Sequence, residues 1–276
     1  MDASTSSQVP SPDPSDKENP SETEETQAGI TSRMLDVIAA PADAFDGLKS
    51  AESRISFWLI PVLISALIGM VCSYLLLSQE WSLQQIRDQQ HKAMQKKFDK
   101  MIAEGKMTRE AADQSMEAAE KFTGGFVKIM GLVGPWVFSL ALVLWYAFLA
   151  WLLGSKILKG KFGYGKALEI AGIALTIAIV EGIVRSLLCF AMGNIQATPS
   201  PALFIKEIDP TSRIPGLMGL PNPFTFWHMA ILAVGISKVG SIPWARVFTW
   251  LFITWLVISL LAIEASVRLN SLGMGS

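Results

Sequence analysis

The sequence predicts an all-α fold: a polytopic membrane helix bundle with five transmembrane helices plus an extramembrane helical hairpin. Three observations carry that expectation. Hydrophobic residues make up 51% of the 276-residue chain, which also holds nine tryptophans, more than a soluble domain of this length carries. The apolar residues gather into runs of about 20, the length at which a helix crosses the hydrocarbon core. Lysine and arginine collect in short connections between those runs, as they do beside membrane-spanning helices. The overall balance, 23 basic against 24 acidic residues, excludes the strong basic excess of a nucleic-acid binder.

Residues 1–29 read as a disordered acidic tail. They hold seven acids, one lysine and repeated Ser and Pro, with too little apolar surface to offset the entropy of folding. No cleavable signal is expected, because the first apolar run begins near Phe57; the first span should remain as an anchor.

Residues 30–52 read as an amphipathic interfacial segment leading into the first span. Ile30, Met34, Ile38, Pro41, Phe45 and Leu48 line one side, and Arg33, Asp36, Asp43, Asp46 and Lys49 occupy the others. Pro41 is placed to begin a second short helix. The stripe suits the headgroup boundary or the underside of the bundle, with Phe45 exposed and lying flat. Pro41 and Phe45 are therefore the candidates for contact with lipid or a partner.

Five windows then qualify as spans: about Ser56 to Leu77, Ile129 to Leu153, Leu168 to Gly193, Phe224 to Val239 and Pro243 to Ile263. The fourth is the shortest, and Lys238 would have to snorkel to extend it. Between the first two, residues 79–125 read as an outward helical hairpin. Met94, Phe98 and Met101 make one stripe, Gly105 stops the first helix, and Thr108 caps a second containing Ala112, Met116 and Ala119.

Orientation follows from the cations beside the spans. Lys156, Lys159, Lys161 and Lys166 follow span two, and Lys238 and Arg246 follow span four, with no acid among them. Both connections are expected on the cytoplasmic side, which puts the N-terminus there and the C-terminus outside.

Charges inside the spans are site candidates because placing one there costs ~3 kcal/mol or more. Glu181 and Arg185 lie in span three; Glu264 and Arg268 end span five. Counting ~1.5 Å per residue puts Arg185 and Glu264 at similar depth, so an interhelical pair is open, as are i, i+4 pairs within each helix. Small residues Ala174, Ala178, Gly182 and Ser186 form a stripe for close helix approach. His228 beside Trp227 reads as an interfacial histidine, and Cys72 and Cys189 as packing residues. Metal, phosphate and nucleophile motifs are missing, so no catalytic residue, metal or cofactor is expected.

Several stretches resemble the YIP1 family. They are "VIAAPADAFDGL" followed by "FWLIPVLISALIG", then "GYGKALEIAGIAL", and "PNPFTFWHMAILAVGISKVGSIPWARVFTWLFITWLV" with its Phe-x-x-Trp motif and Gly-Ile-Ser turn. The resemblance covers about Ser32 to Ile263. It implies a Yip1-like five-span membrane domain, here residues 30–268, with a cytoplasmic N-terminus and an outward C-terminus, in agreement with the charge count. The acidic tail and the long hairpin depart from the eukaryotic members, so their connection with Rab GTPases and vesicle budding is not carried over. The short tail points to a bacterial inner (plasma) membrane relative.

Two functions stay open. One is a non-enzymatic membrane scaffold or adaptor, acting in membrane organisation or trafficking, whose partners are the lipid bilayer and other membrane proteins or a second copy of itself. The other is a small-molecule or ion transporter or channel using Glu181, Arg185 and Glu264.

Overall fold

The computed structural model describes residues 29–205 and 212–271. The expected acidic tail, apart from Gly29, lies outside them. Among the described residues every regular element is helical. In chain order these are α1 (Ile30–Ala39), a 3-10 turn (Asp43–Phe45), α2 (Ser56–Leu77), α3 (Glu80–Ala103) and α4 (Arg109–Ala150), which runs on into a π-helical turn (Trp151–Ile157). Then come α5 (Tyr164–Met192), a 3-10 turn (Pro201–Phe204), α6 (Ile214–Gly219), α7 (Pro223–Gly240) and α8 (Trp244–Ser271).

Four stretches are long and apolar enough to cross a membrane: Ser56–Leu77, Gly125–Ile157, Tyr164–Met192 and Trp244–Asn270. The sequence led to five. The remaining one, α7, has 18 residues, and His228 and Lys238 dilute its apolar character. It is nonetheless one unbroken helix, buried along much of its length between α5 and α8.

The hairpin expectation holds at its turn and is corrected at its far end. Gly105 (φ +70°) does reverse the chain after α3, and the Thr108 hydroxyl accepts the Ala111 N–H at 3.3 Å, as an N-cap should. The helix so begun does not stop before the second span. It continues for 42 residues, so hairpin arm and span are one helix. Gly124 and Gly125 cost the helix only ~1 kcal/mol each, and without a turn or cap the i→i−4 ladder carries through them.

The bundle is organised around α5. Helices α2, α4 and α5 pack on one another; α7 covers another side of α5, and α8 packs on α7. Gly172 sets the α2–α5 approach: a Cβ there would collide with Trp58 and the Phe57 carbonyl. Core side chains crowd the end of the bundle nearest the lead-in segment. On α5 the buried residues run from Ala167 almost without interruption to Ile179, and beyond that only Cys189 is buried. The far end of the bundle is correspondingly open.

Candidate functional site

At the crowded end, the lead-in segment folds under the bundle instead of lying beside it. Arg33 is only 5% exposed. Its guanidinium donates to the Ala44 carbonyl at 2.7 Å and the Asp46 carbonyl at 3.0 Å, and stands over the Phe57 ring at 5.3 Å. One side chain thus satisfies a carbonyl of the 3-10 turn and that of the residue closing it. Burial pushes the Arg33 pKa down, and the Glu169 carboxylate opposes that shift.

Glu169, on α5, is 1% exposed. It accepts the Arg54 backbone N–H and pairs with Lys166 at 2.8 Å, so the buried carboxylate has a partner on each oxygen. Two surface contacts tie the segment to the α7–α8 turn: Lys238 to Asp46 at 2.7 Å, and Lys49 to the Ser241 hydroxyl at 2.7 Å. Neither Arg33 nor Glu169 stood out in the sequence. The one local signal was Lys166 three residues before a glutamate at the start of an apolar helix, an i, i+3 pair.

Phe45 was expected to be exposed at the interface, and the structure reverses this. Its side chain is 1% exposed and belongs to the core. The ring lies against α7 where Gly235 leaves room: a Cβ on Gly235 would come within 2.8 Å of Phe45 Cε1 and 2.6 Å of Ile170 Cγ2. Pro41 is half-buried in the turn between α1 and the 3-10 turn, so the second short helix it was expected to begin is that single turn. The inward face of α1 is Arg33 and Val37. Leu35 (64% exposed) and Ile38 (46%) point outward and are the apolar groups this segment offers.

The two intramembrane glutamates find partners other than the one counted from depth. Glu181 accepts from the Asn222 amide at 2.5 Å, and Asn222 in turn caps α7 by accepting the Phe224 N–H at 3.0 Å. Glu264 takes a two-pronged contact from Arg213, at 2.8 and 3.1 Å, and a third from Arg268 at 3.1 Å. The Arg185–Glu264 bridge is therefore not made, because α7 stands between α5 and α8. The i, i+4 pair Glu264–Arg268 forms; Glu181 and Arg185 do not pair. Outside the spans, the Glu264 carboxylate pushes the Arg213 pKa up.

Arg185 instead lines a cavity between α2, α4 and α5. Three of the four expected close-approach residues, Ala178, Gly182 and Ser186, line it too, along with both cysteines, which are free. His228, expected at the interface, is buried, with its ring 4.2 Å from that of Tyr146 and no hydrogen-bond partner for Nε2. Among the described residues no group of three or more His, Cys, Asp or Glu is placed to hold a metal ion.

The Yip1 domain family matches this chain over residues 35–265. The chain belongs to the Yip1 family. The matched region starts within α1 and ends within α8, so the Arg33 and Glu169 neighbours in the 3-10 turn, α2, α5 and α7 all fall inside the Yip1 domain, apart from Arg33 itself. No curated protein and no solved structure matches the chain. With four helices of membrane-crossing length and composition, this Yip1 protein is an integral membrane protein. The Yip1 family is not known as an enzymatic one.

Proposed function

We propose that this Yip1 protein is a non-enzymatic membrane scaffold or adaptor that crosses a bacterial inner membrane five times. The observation that carries this reading is the lead-in segment clasped to the bundle through Arg33. It holds Leu35 and Ile38 outward on a rigid base, beside the first span, where other membrane proteins and lipid are within reach. The fifth crossing is α7: its 18 residues rise ~27 Å, close to the hydrocarbon thickness. Lys156, Lys159, Lys161 and Lys166 support a cytoplasmic lead-in end, with the C-terminus and the α3–α4 hairpin outside. The transport reading is weaker, because Glu181 and Glu264 are held by separate partners and only Arg185 reaches the cavity.

A photo-crosslinking residue placed at position 35 or 38 in native membranes should capture a neighbouring protein or lipid, and one at position 45 should crosslink only within the chain. Capture from 45 and none from 35 or 38 would overturn the proposal. The topology is tested separately with single cysteines: position 161 should resist an impermeant thiol reagent in intact cells and position 276 should react.

A further inference from the structure

We propose that the cavity between α2, α4 and α5 binds one anionic phospholipid, with an acyl chain between the helices and the headgroup phosphate on Arg185. This goes beyond the scaffold reading and does not depend on it. The cavity has a volume of about 450 Å³ and is walled by Ser65 and Gly69 of α2, Gly134 and Ser139 of α4, and Gly182 and Arg185 of α5. It exists because the α5 core side chains end at Ile179 and the walls beyond are made of small residues. Neither Gly134 nor Gly182 has a neighbouring heavy atom within 4 Å of where its Cβ would stand, so each opens onto unfilled space.

Its shape suits a chain with a charged end. Along α2 the lining extends from Ser65 to Leu76, ~16 Å of helix. The deep end is closed by a hydroxyl pair, Ser139 donating to Ser65 at 3.0 Å, and most of the wall is apolar. Arg185 is the one charged group in the lining, and no acid faces it there. Among the described residues it makes neither an ion pair nor a hydrogen bond.

Depth decides which anion it meets. Arg185 lies 21 residues beyond Tyr164, ~31 Å along α5, which is the level where hydrocarbon gives way to phosphates. A guanidinium at that boundary reaches the headgroup level and binds a phosphate through two parallel N–H···O bonds. A zwitterionic lipid brings its own cation to the phosphate; an anionic lipid does not.

The test uses the full chain in nanodiscs of phosphatidylcholine doped with phosphatidylglycerol, followed by release and native mass spectrometry. Wild type should retain one phosphatidylglycerol in preference to phosphatidylcholine. Arg185→Gln should lower that retention about tenfold, the loss of roughly one charge-assisted hydrogen bond. Gly182→Leu, which keeps the charge and fills the chain space, should abolish it, and Gly134→Leu should do the same from the facing helix. Should the leucine variants fold poorly, alkylation of Cys72 in a Cys189→Ser background gives a second readout: phosphatidylglycerol should slow it and phosphatidylcholine should not. Equal retention of the two lipids, retention unchanged by Arg185→Gln, or displacement of the lipid by inorganic phosphate would each overturn the proposal.

Discussion

Replacing Phe45 by alanine separates the two places its ring can be. At a lipid headgroup boundary the substitution changes little, within ~0.5 kcal/mol as for most surface positions. In the structure the ring is 1% exposed, fills the gap at Gly235 and touches α7, so its removal loses the transfer of a phenyl group and leaves a cavity. Buried Phe→Ala changes cost ~3–5 kcal/mol, so a loss of at least ~3 kcal/mol is expected here. That loss falls on the docking of residues 30–52, since α2, α4 and α5 keep their own contacts. An opening free energy lower by ~3 kcal/mol raises amide exchange about a hundredfold, each 1.4 kcal/mol being a factor of ten. Hydrogen exchange with mass spectrometry in nanodiscs reads this directly for peptides covering 30–52. Leu35→Ala, an exposed neighbour, is the control and should leave the rate alone. Unchanged exchange in Phe45→Ala would refute the docked arrangement and restore an interfacial Phe45.

Arg33→Met should release the same segment, since the Ala44 and Asp46 carbonyls lose their donor; limited proteolysis between residues 40 and 52 should accelerate at least tenfold, corresponding to ~1.5 kcal/mol or more. Arg33→Lys should not restore protection, because one ammonium does not reproduce the planar fork that reaches both carbonyls. Glu264→Arg should raise exchange in residues 212–220, and Arg213→Glu should rescue it, whereas Arg185→Glu should not; rescue by position 185 would mean that α5 and α8 are neighbours after all. Gly172→Val should collapse the yield of monodisperse protein while Gly182→Ala leaves it near wild type, because the first meets Trp58 and the second meets open space. Equal yields would contradict the α2–α5 contact.

What the chain alone determined were properties of one helix at a time. Whether a segment prefers hydrocarbon depends on its own length and side chains, so the first span was legible from Ser56 to Leu77 and coincides with α2. Stops and caps are equally local, which is why Gly105 and Thr108 could be placed around the α3–α4 turn. The Yip1 resemblance was legible for a similar reason, resting on short stretches of adjacent residues. Tertiary structure decided everything that depends on which helix stands next to which. A depth count brought Arg185 level with Glu264, but depth is one coordinate, and α7 between their helices sent Glu264 to Arg213 instead. An amphipathic stripe identified an apolar side on residues 30–52 and left open whether that side faces lipid or protein. The gap at Gly235 received the Phe45 ring and the Glu169 carboxylate held the Arg54 N–H, contacts between residues more than 100 positions apart, while Arg33 fastened the turn from within the segment itself.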